Sequence, residues 1–233
     1  MESRFTFVSA PGTCRYLPDQ IWQIQYEAVE QVTREEYLER LTEGWRRFGY
    51  TLFRPVCASC RKCQSLRIPV GAFRPDRSQR RAWKANQGEV RIVVGTPAIS
   101  DAKRALFAKF HEYQVETKGW LPQDEDVIES FVDNPFATEE WCYYQGNRLI
   151  AVGYVDCLPD ALSAIYFYHD PFERQRSLGT FNVLAILEAA RARRVSHVYL
   201  GYYVEGCRSL AYKARFRANE VLRPDGTWEA FLA

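Results

Sequence analysis

A chain of 233 residues that is 47% apolar and 15% aromatic supports a packed core, as one large domain or two smaller ones, and has no apolar run near the roughly 20 residues that span a bilayer. Seven cysteines, an odd number, behind a start (Met1-Glu-Ser-Arg-Phe5) without a signal peptide's basic and then apolar pattern argue for a cytoplasmic protein with free thiols or metal ligands, and against a disulfide framework. The formal charge is only +2, yet residues 40–91 carry 13 Lys/Arg against Glu43, Asp76 and Glu89, a local +10 set against −8 elsewhere.

That asymmetry is the electrostatic footprint of a polyanion site, with a solvated basic face as the plain alternative. Of the 31 basic residues 25 are arginine, whose planar fork suits bidentate phosphate and carboxylate contacts.

In chain order, Cys14-Arg-Tyr-Leu-Pro18 comes first. A helix is predicted from about Thr33 to Phe48, with Thr33 as N-cap, Glu36 at the capping-box position, and Tyr37, Leu38, Leu41 and Trp45 on one face. Then comes Cys57-Ala-Ser-Cys60-Arg-Lys-Cys63, three cysteines at strict spacing. A strand-like Ser65–Val70 and a basic segment from Arg77 to Asn86 follow, and the character changes near Val94. The predicted organisation is a Cys/Arg-rich part, residues 1–93, and an α/β part, residues 94–233, an α+β protein overall.

The second part reads as a helix from Asp101 to Thr117, carrying Leu106, Phe107, Phe110 and Tyr113 on one face, and a shorter one from Asp124 to Val132. Strands follow at Trp141–Tyr144, Leu149–Cys157 and Leu162–Tyr168, the first two joined by a Gln145-Gly-Asn147 turn. A helix (Leu178–Arg194), a strand (His197–Val204) and a short helix (Arg208–Phe216) complete it. This order matches the GCN5-related acyltransferase fold. In that fold an Arg/Gln-x-x-Gly-x-Gly/Ala turn presents backbone N–H groups to a pyrophosphate. Here the turn is Arg174-Gln-Arg-Ser177-Leu-Gly179-Thr180, with serine in place of the first glycine, and a turn capped by Ser177 explains it as well.

Taken together, Cys14-Arg-Tyr-Leu-Pro18, Gly44-Trp-Arg-Arg47, Phe53-Arg-Pro-Val-Cys57-Ala-Ser-Cys60, Arg67-Ile-Pro-Val70, Ser78-Gln-Arg-Arg81, Asp170-Pro171, Ser177-Leu-Gly-Thr180, Tyr199-Leu-Gly-Tyr-Tyr203 and Tyr212-Lys213 resemble the aminoacyl-tRNA:protein transferases. The resemblance is closer to the short bacterial aspartate/glutamate leucyltransferase branch than to the longer eukaryotic arginyltransferases, and runs from about Phe7 to Trp228. It implies transfer of leucine from leucyl-tRNA to the α-amine of proteins beginning with Asp or Glu, which creates a destabilising N-terminus. Alternatives are arginyl transfer, a coenzyme A-dependent N-acyltransferase, or a noncatalytic RNA-binding module. An aminoacyl ester is already activated, so no cofactor or covalent nucleophile is required; the enzyme must orient the amine, stabilise the oxyanion and move one proton.

Candidates for these roles lie at strand ends. Tyr202 or Tyr203 would orient the ester or donate to the leaving oxygen, and Asp170, beside Tyr168, would orient the amine. The alternatives are core aromatics and a strand-ending Asp170-Pro171 turn. Arg54, Arg67, Arg80, Arg81 and Lys213 are candidates for holding the acceptor's acidic side chain or tRNA phosphates, unless they form internal salt bridges, and Ser177 and Gly179 for holding phosphate. Cys14, Cys57, Cys60 and Cys63 offer four thiolates to zinc or an iron–sulfur cluster, or else pack as buried free thiols. Some arginyltransferases carry an N-terminal Cys-x-x-Cys; here Cys14-Arg-Tyr-Leu17 lacks the second thiol. Trp120-Leu-Pro122 is a candidate wall of a leucyl pocket.

Overall fold

The computed structural model describes residues 1–231. In chain order the elements are β1 (Glu2–Val8), β2 (Gly12–Thr13), β3 (Ile21–Trp22), β4 (Ile24–Gln31), α1 (Arg34–Thr42), β5 (Arg46–Phe48), β6 (Thr51–Pro55), β7 (Cys63–Pro69), α2 (Arg77–Asn86) and β8 (Val90–Gly95). They continue with α3 (Asp101–Lys118), α4 (Glu129–Val132), β9 (Thr138–Gln145), β10 (Arg148–Leu158), β11 (Ala161–His169), α5 (Leu178–Arg193), β12 (His197–Val204), α6 (Arg208–Ala211), β13 (Glu220–Leu222) and β14 (Trp228–Ala230).

The strands form an eight-stranded sheet in the order β14-β13-β7-β12-β11-β10-β9-β8, a four-stranded sheet β1-β4-β6-β5, and the short pair β2-β3. β11 and β12 are parallel and joined through α5, because parallel neighbours need a crossover connection. The large sheet therefore carries the antiparallel β9–β10–β11 run, crossover helix and following strand that the sequence predicts.

α5 is apolar on nearly every side and accordingly buried, packing Phe181, Leu184 and Leu187 with Ala151, Val155 and Leu162 of the sheet. The opposite face is covered by α3, whose Leu106, Phe107 and Phe110 meet Val152, Tyr154 and Tyr168. Tyr113 departs from the predicted apolar face and hydrogen-bonds Arg174 near the surface. Among the described residues no helix is long and apolar enough to cross a membrane.

Two differences from the sequence expectation shape the site. The division between residues 93 and 94 falls inside β8, and β7 pairs with β12, so both parts of the chain build one sheet. The first helix has its predicted capping box, with Glu36 N donating to Thr33 Oγ1 at 3.2 Å and Thr33 N to Glu36 Oε2 at 2.8 Å. It ends at Thr42, not Phe48, because Gly44 takes φ +90° and closes a Schellman turn, Trp45 N to Arg40 O at 2.9 Å. Arg46 and Arg47 thus enter a strand, where successive side chains point apart.

Candidate active site

β11 and β12 stay paired only from Ala161↔His197 to Ser163↔Tyr199, then part. Beyond that point β12 is flanked by β7 alone, and a cavity of about 1100 Å3 opens between the N-terminal sheet, the cysteine segment and the turn before β14. Gly44, Ser65 and Tyr202 line it from one side, Phe53, Arg54 and the Cys57–Cys63 segment from another, and Leu222 to Trp228 from a third.

A bulge organises the β12 side. The ladder with β7 slips between Tyr199 and Gly201, and Gly201 takes φ +78°, a conformation glycine adopts without the penalty of a side chain. The extra residue brings Tyr199 and Tyr202 to the same guanidinium, Arg46 Cζ lying 5.5 Å from each ring centroid. Tyr202 Oη donates to Gly44 O at 2.8 Å, and Ser65 Oγ donates to the same carbonyl at 3.3 Å. Burial, then nearby Cys63 and Tyr16 against the opposing pull of Arg46, leaves the Tyr202 phenol well above its usual range. Tyr203 points to the other face and packs on Phe231.

Arg46 is 6% exposed. Its Nη1 donates to Trp45 O at 2.6 Å, while Nε and Nη2 have no hydrogen-bond partner among the described residues. Lys213 is 9% exposed, and its Nζ donates to Tyr202 O at 2.9 Å. Burial, and after it the charge of Arg46, lowers the Lys213 ammonium from 10.5 to about 7. Sequence reasoning placed Lys213 among the substrate contacts but missed Arg46; the Gly44-Trp-Arg-Arg47 motif was the available signal.

The other predicted residues scatter. Arg54 lines the cavity with its guanidinium 4.7 Å from the Trp45 ring centroid and Nε on Gln25, with no carboxylate partner among the described residues. Arg67 is committed to Glu220 at 2.7 Å and stacks on Trp228. Arg80 and Arg81 lie on α2, whose Asp76–Gln79 capping box and buried Gln79, Ala82 and Asn86 turn Arg77, Arg80, Arg81 and Lys84 to solvent, none in an ion pair among the described residues.

Tyr168 is fully buried beneath α3, its hydroxyl beside that of Tyr154, and burial raises its pKa far beyond the usual range. Burial would raise the Asp170 carboxyl, yet Lys109 at 2.9 Å, the Phe172 amide and Arg148 hold it below the ordinary carboxylate range. Neither Tyr168 nor Asp170 lines the large cavity. Ser177 occupies the N-cap of α5 at φ 49°, but its hydroxyl makes no capping bond, and an added β-carbon at Gly179 would meet nothing within 4 Å. Leu121 is exposed, and Trp120 packs edge-on against Phe110.

Cys14, Cys57, Cys60 and Cys63 are neighbours, and Cys207 joins them. All are free thiols. Burial, then the presence of the other four, pushes the Cys63 thiol up to about 12. The Cys57 sulfur is held by the Gln23 backbone, accepting from N at 3.4 Å and donating to O at 3.7 Å. As these thiols now lie, no three Cys, His, Asp or Glu side chains among the described residues converge on a point where a metal ion fits.

Comparison with known proteins spans the segments that line the cavity. Residues 12–81 match the family model of the arginine-tRNA-protein transferase N terminus, and residues 102–223 that of its C terminus. The chain is 34% identical over 232 residues to an aspartate/glutamate leucyltransferase of Campylobacter jejuni, covering 97% of this chain and 95% of that one. It is 35% identical over 225 residues to one of Marinobacter nauticus, covering 95% and 94%. The fold resembles the crystal structure of FemX, with a TM-score of 0.54 at 8% identity over 94% of this chain and 86% of FemX. A putative lysylphosphatidylglycerol synthetase C-terminal domain from Agrobacterium fabrum aligns with a TM-score of 0.50 at 10% identity, over 73% and 58%.

Proposed function

The chain belongs to the arginine-tRNA-protein transferase family, and from that premise we propose that it is an aminoacyltransferase that moves leucine from leucyl-tRNA to the α-amine of proteins beginning with Asp or Glu. The observation that carries this reading is the similarity to leucyltransferases over both segments that wall the cavity.

The chemistry asks for little beyond placement. The ester is activated, and a free α-amine has a pKa of about 7.7–8.0, so a useful fraction is neutral near pH 7. Holding amine and carbonyl in contact supplies much of the rate. The cavity supports this with a lining that includes Tyr202, Ser65 and Arg54.

Leucine is favoured over arginine as the transferred group by the charge of the cavity lining. Arg15, Arg54, Arg61 and Arg223 outnumber its two carboxylates, Glu43 and Asp225, and Glu43 is engaged with Arg40 at 3.5 Å. Much of the remaining lining is apolar, including Ile21, Trp22, Phe53, Leu222 and Trp228. The unpaired arginines of α2 offer a surface for tRNA phosphates next to the start of α5, where Asn86 Nδ2 holds Arg176 O at 2.7 Å.

The test is transfer from radiolabelled leucyl-tRNA and arginyl-tRNA to peptides beginning Asp, Glu or Ala. Leucine incorporation confined to the acidic peptides is expected. Arginine incorporation would move the protein to the sister activity, and no transfer from either would end the reading.

A further inference from the structure

Arg46 and Arg47 are adjacent, both buried, and opposite in circumstance. Arg47 presents its Nε and Nη2 edge to Asp156, 2.6 and 2.5 Å from the two carboxylate oxygens. The same edge of Arg46 makes no hydrogen bond among the described residues. Lys213 adds a second buried cation beside it: a β-carbon built on Gly201 would lie 3.4 Å from Lys213 Nζ and 3.9 Å from Arg46 Nε. Neither forms an ion pair with a carboxylate among the described residues. Buried charges are normally paired, because desolvation without a counter-ion is expensive.

We propose that Arg46 and Lys213 form a recessed anion subsite that takes the side-chain carboxylate of the acceptor's first residue. The inference rests on the leucyl-transfer reading above and assigns that reaction its selectivity for Asp and Glu. The Nε–Nη2 edge of a guanidinium grips a carboxylate with two parallel hydrogen bonds, and an ammonium on the far side completes the charge balance. Arg46 and Lys213 lie directly behind Gly44 and Tyr202, which line the cavity. A neutral Asn or Gln side chain brings no charge to the pair, so the subsite discriminates against it. The groups facing Lys213 and Arg46 are Cys207, Tyr37, Tyr199 and Tyr202, none of them a carboxylate.

The experiment compares leucyl transfer to two peptides that differ only in a first residue of Asp or Asn, by wild type, Lys213→Met and Arg46→Lys. In each variant kcat/KM for the Asp peptide is expected to fall about 10- to 100-fold through KM, the loss of one charge-assisted contact. The Asp-over-Asn ratio of kcat/KM falls with it, and the loss does not fall on KM for leucyl-tRNA. Lys213→Met also raises the denaturation midpoint, since an unpaired buried charge is gone; a merely structural lysine would lower it. Unchanged Asp-over-Asn preference in both variants, or a loss that falls on KM for leucyl-tRNA, overturns the subsite while leaving the leucyl-transfer reading intact. Wild type that transfers nothing to the Asp peptide removes that reading and the subsite's ligand with it.

Discussion

Arg47 and Asp156, 109 residues apart in the chain, close a bidentate ion pair across the two family segments, with side chains 0% and 1% exposed. Thr138 Oγ1 completes it, accepting from Arg47 Nη2 at 2.7 Å and donating to Asp156 Oδ1 at 2.7 Å. The pair ties β5 of the small sheet to β10 of the large one.

Removing one partner leaves the other charge buried and unpaired. Asp156→Asn is expected to lower stability by about 3–5 kcal/mol, measured by urea denaturation with an unchanged m-value. A loss under about 1 kcal/mol would show that Arg47 finds another partner or water.

Lys213 makes stability depend on pH. Its pKa is 10.5 when unperturbed and about 7 in the fold, lowered first by burial and then by Arg46. Between those values the unfolded chain binds a proton that the folded chain does not, so stability rises with pH, by at most about 1.4 kcal/mol per unit. Below pH 7 the lysine is charged in both states and the penalty is complete. Above pH 9 the raised Cys63 thiol imposes the opposite slope, because the unfolded thiol ionises first. Denaturation at pH 7.0, 8.0 and 9.0 therefore gives a rising series for wild type and a flatter one for Lys213→Met; parallel series would count against a depressed Lys213.

Gly201→Ala tests the bulge. The φ of +78° carries strain for any L side chain, about 1–2 kcal/mol, and the methyl group comes into contact with Lys213 Nζ at 3.4 Å. A lower melting temperature is expected together with a higher KM for acidic peptides. Full retention of both would mean that the bulge relaxes without disturbing Tyr199, Tyr202 and Arg46.

The basic face of α2 is expected to act on tRNA alone. Replacing Arg80 and Arg81 by Gln should leave the fold and the peptide KM intact, raise KM for leucyl-tRNA, and reduce the slope of log affinity against log salt by about 1–2. An unaltered salt slope would place the tRNA elsewhere.

Tyr168 and Tyr202 separate packing from chemistry. Tyr168→Phe deletes a buried hydroxyl whose neighbour is the Tyr154 hydroxyl, away from the cavity, so activity should hold and stability should change by no more than about 1 kcal/mol. A rate loss of about 100-fold or more would return Tyr168 to the proton-transfer step.

Local signals in the sequence were read well where short-range physics dominates. The Thr33–Glu36 capping box starts α1, the apolar run from Leu178 becomes the buried α5, and β12 spans His197–Val204 as predicted. The same reasoning carried the first helix six residues too far, since Tyr37, Leu41 and Trp45 do all reach the core, Trp45 by way of the Gly44 turn and not along the helix. The four-stranded sheet went unread because β1 is exposed along its length and pairs with residues 25–31, a long-range choice. In α2 the dense arginines obscured an ordinary helix whose inward face is Gln79, Ala82 and Asn86.

The sequence by itself determined the family likeness, the order of the α/β half, and the clustering of arginine and cysteine before residue 92. Tertiary structure decided which of those side chains are free to act. Arg46 and Arg47 are the same letter in neighbouring positions, and nothing local distinguishes them. One meets a carboxylate contributed by β10, and the other meets two tyrosine rings and a lysine brought beside it by a bulge in β12 and the turn after α6. Strand alternation sends the two side chains apart, and only the packing of distant segments supplies or withholds a counter-ion.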